Sequence, residues 1–184
     1  MELLELTGEK VNVYPFSDNL PAVQEVPIGT ALTIWESPSD GQIWMLVIHE
    51  ALYFGDRLKE SLLCPNQLRA AGNLVQDAPI KFDSKSMHSI TIPGKLEIPL
   101  EMHGVISHLR TRKPTMNEIG RYQEGQLQAV ELTEDAPWEP YSMKFAKMEL
   151  AACIAHSVMV PWVAIPCSSN THIPSSEVEE GFYP

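Results

Sequence analysis

The sequence predicts a mainly β fold with one short helix and a second helix near the C-terminal end. Three observations lead there. Residues 43–48 read Ile-Trp-Met-Leu-Val-Ile, an apolar run of the kind found in strands buried on both faces. Glu36-Ser-Pro-Ser-Asp-Gly41 precedes it, and an Asp-Gly pair flanked by β-formers marks a hairpin turn. Pro65 and Gly72 bracket a short stretch, with Pro suited to a first helical position and Gly to the residue just past a helix end.

Taken in order, residues 1–10 are charged, with Leu3, Leu4 and Leu6 as apolar content, and read as a strand or a frayed end. Residues 11–14 alternate as a strand that Pro15 closes. Residues 23–33 alternate loosely around Val26, Ile28 and Leu32, and the 36–41 turn follows. Residues 43–49 form the strongest strand, residues 50–54 a shorter one, and Gly55-Asp56 turns the chain. A helix of about two turns is expected at 65–71. Four β-type segments follow at 79–82, 88–92, 96–100 and 104–109. Pro93-Gly94 joins the middle two as a hairpin, and Pro99 assigns 96–100 to a sheet edge. Residues 114–138 are polar and irregular apart from Ala129-Val-Glu-Leu132, and read as a linker. Pro140 opens a helical pattern to Val158, with Phe145, Met148, Ala152 and Ala155 on one face. The segmentation expected is 1–113 as a β domain, 114–138 as linker, 139–160 as helix and 161–184 as a Ser-, Pro- and Glu-rich disordered tail.

Composition limits the function. The 184 residues leave room for one domain and a tail, and 44% hydrophobic content supports a buried core. A formal charge of −11 argues against nucleic acid as a partner, because phosphate contacts need clustered Lys and Arg. The longest basic cluster is Arg110-Thr-Arg-Lys113. Cys64, Cys153 and Cys167 are odd in number and lack a Cys-x-x-Cys spacing, which fits reduced structural thiols and a cytoplasmic location. No basic start with an apolar core suggests a leader. The apolar stretch from Leu150 to Asn170 is interrupted by Pro161, Pro166 and His156, too broken for the ~20 apolar residues a spanning helix needs, so no membrane partner is expected.

Several short segments, in order, resemble one family. Leu62-Leu63-Cys64-Pro65-Asn66-Gln67-Leu68 looks like the lead-in to the terminal helix of the retropepsin-like aspartic protease region in copia-type LTR retrotransposon polyproteins. Val11-x-Val13-x-Pro15-Phe16-Ser17, Tyr53-Phe54-Gly55, His88-Ser89-Ile90, Ile98-Pro99-Leu100, Gly104-Val105-Ile106-Ser107, Thr111-Arg112-Lys113-Pro114-Thr115 and Trp138-Glu139-Pro140-Tyr141-Ser142 resemble elements of a subgroup. The resemblance spans 11–151. It implies a partial retropepsin-like β-barrel, with residues 11–28 in the flap region and 1–113 as a truncated domain. It also implies that the family's catalytic aspartate loop would fall ahead of Met1. A retropepsin site needs two carboxylates sharing a proton, so the resemblance implies a polyprotein fragment that is inactive as it stands. Two alternatives stay open: an active aspartic protease if upstream sequence is missing, and a non-enzymatic binding or assembly module on the same scaffold. Self-association is the partner mode expected.

The remaining residue types give no site. Asp40-Gly41 is the sole Asp-Gly pair and reads as an exposed turn. Six histidines, His49, His88, His103, His108, His156 and His172, raise the question of a metal. His103 and His108 are five apart, a spacing that places them on one face of neither a helix nor a strand, and no His-Glu-x-x-His or paired Cys-x-x-Cys is present. Cys64 stands at a helix N-terminus, where a thiolate could be favoured; burial as a small apolar residue is the reading preferred. No Gly-x-Ser-x-Gly elbow, phosphate loop or dinucleotide fingerprint occurs. No catalytic, cofactor-binding or metal-binding residue is therefore assigned, and no cofactor.

Overall fold

The computed structural model describes residues 1–14, 19–58, 60–140, 142–143, 146–147 and 150–151. The chain divides into a unit from Met1 to Trp138 and another from Glu139 to Pro184. The first unit is mainly β. Its principal sheet has the order β1-β2-β3-β9, built from β1 (Glu2–Val13), β2 (Val23–Glu36), β3 (Ile43–Leu52) and β9 (Ala129–Glu131). The first three strands are antiparallel neighbours, and β9 pairs parallel to β3. A second sheet has the order β4-β5-β6, from Leu74–Val75, Ser89–Ile92 and Leu96–Pro99. A separate hairpin joins β7 (Glu101–His103) to β8 (Ile106–His108).

The sheets are open. The expected barrel does not close, because β1 and β9 form opposite edges of the principal sheet and do not pair with each other. The second sheet meets the first through side chains instead of a strand ladder. Leu46 and Ile48 of β3 project to one face and pack with Leu68, Val75, Ile90, Ile92, Ile98, Val130 and Leu132. Met45 and Val47 project to the other face, with Leu32 and Ile34, where Leu4, Ile119 and Tyr122 cover them. This alternation is the period of two along a strand, and it accounts for the unbroken apolar run of β3: both faces are covered.

Helix α1 (Pro65–Ala70) forms as its flanking residues predict, with Pro65 at its start and Gly72 at φ 85 just beyond its end. It docks by Leu68, 2% exposed. The sequence pattern assigns Trp44, Leu46, Ile48, Leu52, Leu63 and Leu68 to one core; Leu46, Ile48 and Leu68 are buried in it, and Trp44 and Leu63 pack against it. Leu52 does not belong: it ends β3 and is 43% exposed.

Other departures have local causes. Residues 2–13 make one continuous strand, because pairing with β2 overrides their polarity. Residues 43–52 are also one strand, with a bulge where the sequence suggested a break: Thr30 faces both His49 and Glu50, and Glu50 takes φ 54. Residues 79–82 are a turn, closed by Phe82 N–H donating to the Pro79 carbonyl at 2.8 Å. Residues 114–138, expected as a linker, carry helix α2 (Met116–Gln123) and strand β9. In the second unit, Met143, Ala146, Lys147, Leu150 and Ala151 are helical, as the pattern from Pro140 predicts. The rest of that predicted helix and the predicted disordered tail lie outside the described residues. Among the described residues no helix is long and apolar enough to cross a membrane.

Candidate functional site

Acid-protease chemistry needs two carboxyl groups close enough to share a proton. Three carboxylates among the described residues, Asp40, Glu36 and Glu118, are arranged otherwise. Asp40 sits on the turn between β2 and β3. Its Oδ1 accepts from Gln42 N–H at 3.1 Å, and Ser37 N–H donates to the Gln42 carbonyl while Gly41 N–H donates to that of Ser37, both at 2.9 Å. Hydrogen bonds from the Ser37 side chain and the Gln42 backbone hold the Asp40 carboxyl below its ordinary range. It is exposed to solvent. The turn reading of Asp40-Gly41 is the arrangement found.

Glu36 and Glu118 do converge, but on a cation. Arg112 donates to Glu118 Oε1 at 2.7 Å and Oε2 at 3.0 Å, and to Glu36 Oε1 at 3.0 Å. The Arg112 hydrogen bonds hold the Glu118 carboxyl at about 2 despite opposing desolvation. Arg112 stays cationic, its pKa raised by the same partners. The guanidinium beside Glu118 keeps that carboxylate ionised, the opposite of a shared-proton pair. The cluster is structural. Thr115 and Glu118 form a capping box at the start of α2. The Arg112 backbone exchanges two 2.9 Å hydrogen bonds with Ile34, which ties the lead-in to α2 onto β2.

The bulge on β3 gathers a third group. Thr30 Oγ1 lies 3.1 Å from His49 Nδ1. Thr133 Oγ1 accepts from His49 N–H at 2.7 Å and donates to the His49 carbonyl at 3.0 Å, standing in for a strand neighbour beyond β9. His49 Nε2 is buried without a hydrogen bond, with Glu131 Oε1 at 4.0 Å and Asp135 Oδ1 3.7 Å from Nδ1. Thr30 is 4% exposed, so no substrate reaches its hydroxyl and a nucleophile is not formed there.

A Ser–His contact occurs elsewhere. His88 Nε2 is 3.0 Å from Ser107 Oγ, and Ser107 Oγ–H donates to the Asp77 carbonyl at 3.3 Å. Asp77 gives its carboxylate to Arg69 at 2.8 Å, so it does not orient His88. The contact joins the β7–β8 hairpin to the second sheet. His88 has φ 49.

Cys64 caps α1 without a side-chain hydrogen bond and is exposed. This corrects the expectation of a buried thiol: the segment ahead of it, with Leu58 45% and Leu62 82% exposed, does not pack over the helix start. His103 and His108 also differ from expectation. Gly104, at φ 64, turns the chain between them, and their rings lie 4.3 Å apart on one face of the hairpin. The five-residue spacing was misleading because it was measured along one strand, while the contact is across two. Among the described residues no three His, Cys, Asp or Glu side chains converge to hold a metal. An open depression is lined by Pro27, Tyr53, Phe54, Gly55 and Arg57, with no acid–base pair in it.

No family model, curated protein or solved structure matches this chain.

Proposed function

We propose that the chain is the scaffold part of a retropepsin-like protease region from a copia-type LTR retrotransposon polyprotein, and that by itself it does not hydrolyse peptides. The observation that carries this reading is the succession from β3 to α1. A strand buried on both faces is followed by Leu62-Leu63, then a helix started by Pro65 and docked by Leu68 under that strand. The same order is what the resemblance leads one to expect. β1 and β2 pair antiparallel ahead of it, and the resemblance implies the flap region at residues 11–28. The inactive state is supported by the carboxylates: Asp40 is exposed on a turn, and Glu36 and Glu118 are bound to Arg112. The test is a fusion. A copia-type segment with an Asp-Ser loop, joined ahead of Met1, should confer pepstatin-sensitive cleavage that the unextended chain lacks. A fusion that folds and binds pepstatin no better than the unextended chain would remove the retropepsin reading.

A second reading, a non-enzymatic assembly module on the same scaffold, draws support from β1. Among the described residues no strand pairs with its outer edge, and open edges pair readily with other strands. Three register shifts and Gly8 at φ 88 bend this edge, which works against pairing. Sedimentation across a hundredfold concentration range tests the module: a monomer throughout disfavours it.

A further inference from the structure

The β7–β8 hairpin has two unlike faces. Its register pairs Glu101 with His108, Met102 with Ser107 and His103 with Ile106. Residues two apart, and residues directly opposite, share a face. One face therefore carries Met102 and Ser107, and Ser107 is held by His88 and the Asp77 carbonyl. The other carries Glu101, His103, Ile106 and His108. The His103 side chain is 63% exposed, and Ile106 is exposed beside it.

On that outer face the two imidazoles sit with centroids 4.3 Å apart and planes 30° from parallel. Two histidine nitrogens on one metal ion, each roughly 2.0–2.1 Å from it, lie roughly 3.3 Å from each other in tetrahedral geometry. The rings are tilted by 30° in contact with each other, and rotation of both side chains would bring one nitrogen of each to that spacing. Glu101 Oε2 lies 3.7 Å from His103 Nε2, so a carboxylate stands beside the pair, as carboxylates commonly do beside metal-bound imidazoles. Arg110 is 3.7 Å from the other Glu101 oxygen, which leaves Glu101 as a neighbour of the pair and not a third ligand.

We propose that His103 and His108 form a two-imidazole chelate for a divalent first-row transition ion of the Ni2+, Cu2+ or Zn2+ class, with water in the other positions. Imidazole suits these ions, whereas Mg2+ and Ca2+ prefer oxygen. The hairpin turn at Gly104 sets the bite, and the strongly acidic chain raises the local cation concentration.

The test uses the full chain, imidazole-resolved NMR and Ni2+ added below one equivalent. The paramagnetic ion should broaden the His103 and His108 ring signals first and together. In His103→Asn, broadening of His108 should need about tenfold more Ni2+ or beyond, and the reciprocal should hold in His108→Asn. Both positions are on the outer face of the hairpin, His103 exposed and His108 part-buried, so backbone shifts should stay within β7 and β8. Excess Mg2+ should not compete, while Zn2+ should. If His108 broadens at the same Ni2+ concentration with and without His103, the chelate does not exist. If other ring signals broaden before these two, the proposal also fails.

Discussion

Asn73 Nδ2 donates to the Leu132 carbonyl at 2.8 Å. The same amide nitrogen donates to the Leu68 carbonyl at 3.2 Å. One buried side chain thus joins the end of α1 to the chain just beyond β9, across 59 residues. The Leu68 carbonyl also accepts from the Asn73 backbone N–H at 3.2 Å, whereas the Leu132 carbonyl, one residue past the end of β9, relies on the side-chain amide. Asn73→Leu should lower stability by about 1–3 kcal/mol, the usual cost of an unsatisfied buried polar group. Urea unfolding measures it, and an unchanged midpoint would show that water replaces the amide.

The packing account makes a paired prediction. Leu68→Ala should cost about 2–5 kcal/mol, since the site is closed on all sides and a cavity would remain. Leu52→Ala should stay within about 0.5 kcal/mol, since that residue is exposed. Equal denaturation midpoints for the two variants would contradict the division of the core.

Gly29 fixes how closely β1 approaches β2. A Cβ built there would meet the Glu5 carbonyl oxygen at 2.3 Å and a Leu3 methyl at 2.9 Å. The obstacle is backbone, so it cannot rotate away. Gly29→Ala should therefore displace β1 and destabilise by about 1–3 kcal/mol. Hydrogen exchange should show lost protection at Leu3, Glu5 and Leu6 before any loss in β3; retained protection in β1 would place the strands farther apart than described.

Acid should release the α2 lead-in from β2. The folded Glu118 carboxyl is held at about 2, below its ordinary 4.5, chiefly by Arg112. A depressed folded value contributes stability above the unfolded value and loses it as pH falls through the folded one. The loss therefore runs from just above pH 4.5 down to about 2. Allowing for the solvent around Arg112, it should amount to about 1–2 kcal/mol. Glu118→Gln should be less stable at pH 6 and show a flatter profile below pH 5. An equally steep acid limb in the variant would assign the loss to other carboxylates.

How much of this was legible from residue order depends on how local each determinant is. Helix α1 is bounded by Pro65 and Gly72, and the turn ahead of β3 by Asp40-Gly41, so both could be read directly. Helix α2 also carried its own mark, since Thr115-x-x-Glu118 is a capping-box pattern; surrounding polarity concealed it. Strand β9 could not be read, because three residues pairing parallel to a strand 84 positions earlier leave no local periodicity. The same holds for the site. His103 and His108 meet only because Gly104 reverses the chain, and Thr133 reaches the His49 backbone only through the parallel edge. Cys64 was misplaced because burial depends on what covers a helix start, which the nearby sequence does not encode.

Peptide cleavage by the purified 184-residue chain tests the central claim most directly. A mixed peptide library incubated at acidic and at neutral pH, with and without pepstatin, should be recovered intact, because Asp40 lies exposed on a turn and Glu118 is bound to Arg112. Asp40→Asn should change nothing, since Asp40 is a solvated turn residue. Pepstatin-sensitive cleavage by the native chain that disappears in Asp40→Asn would contradict the account.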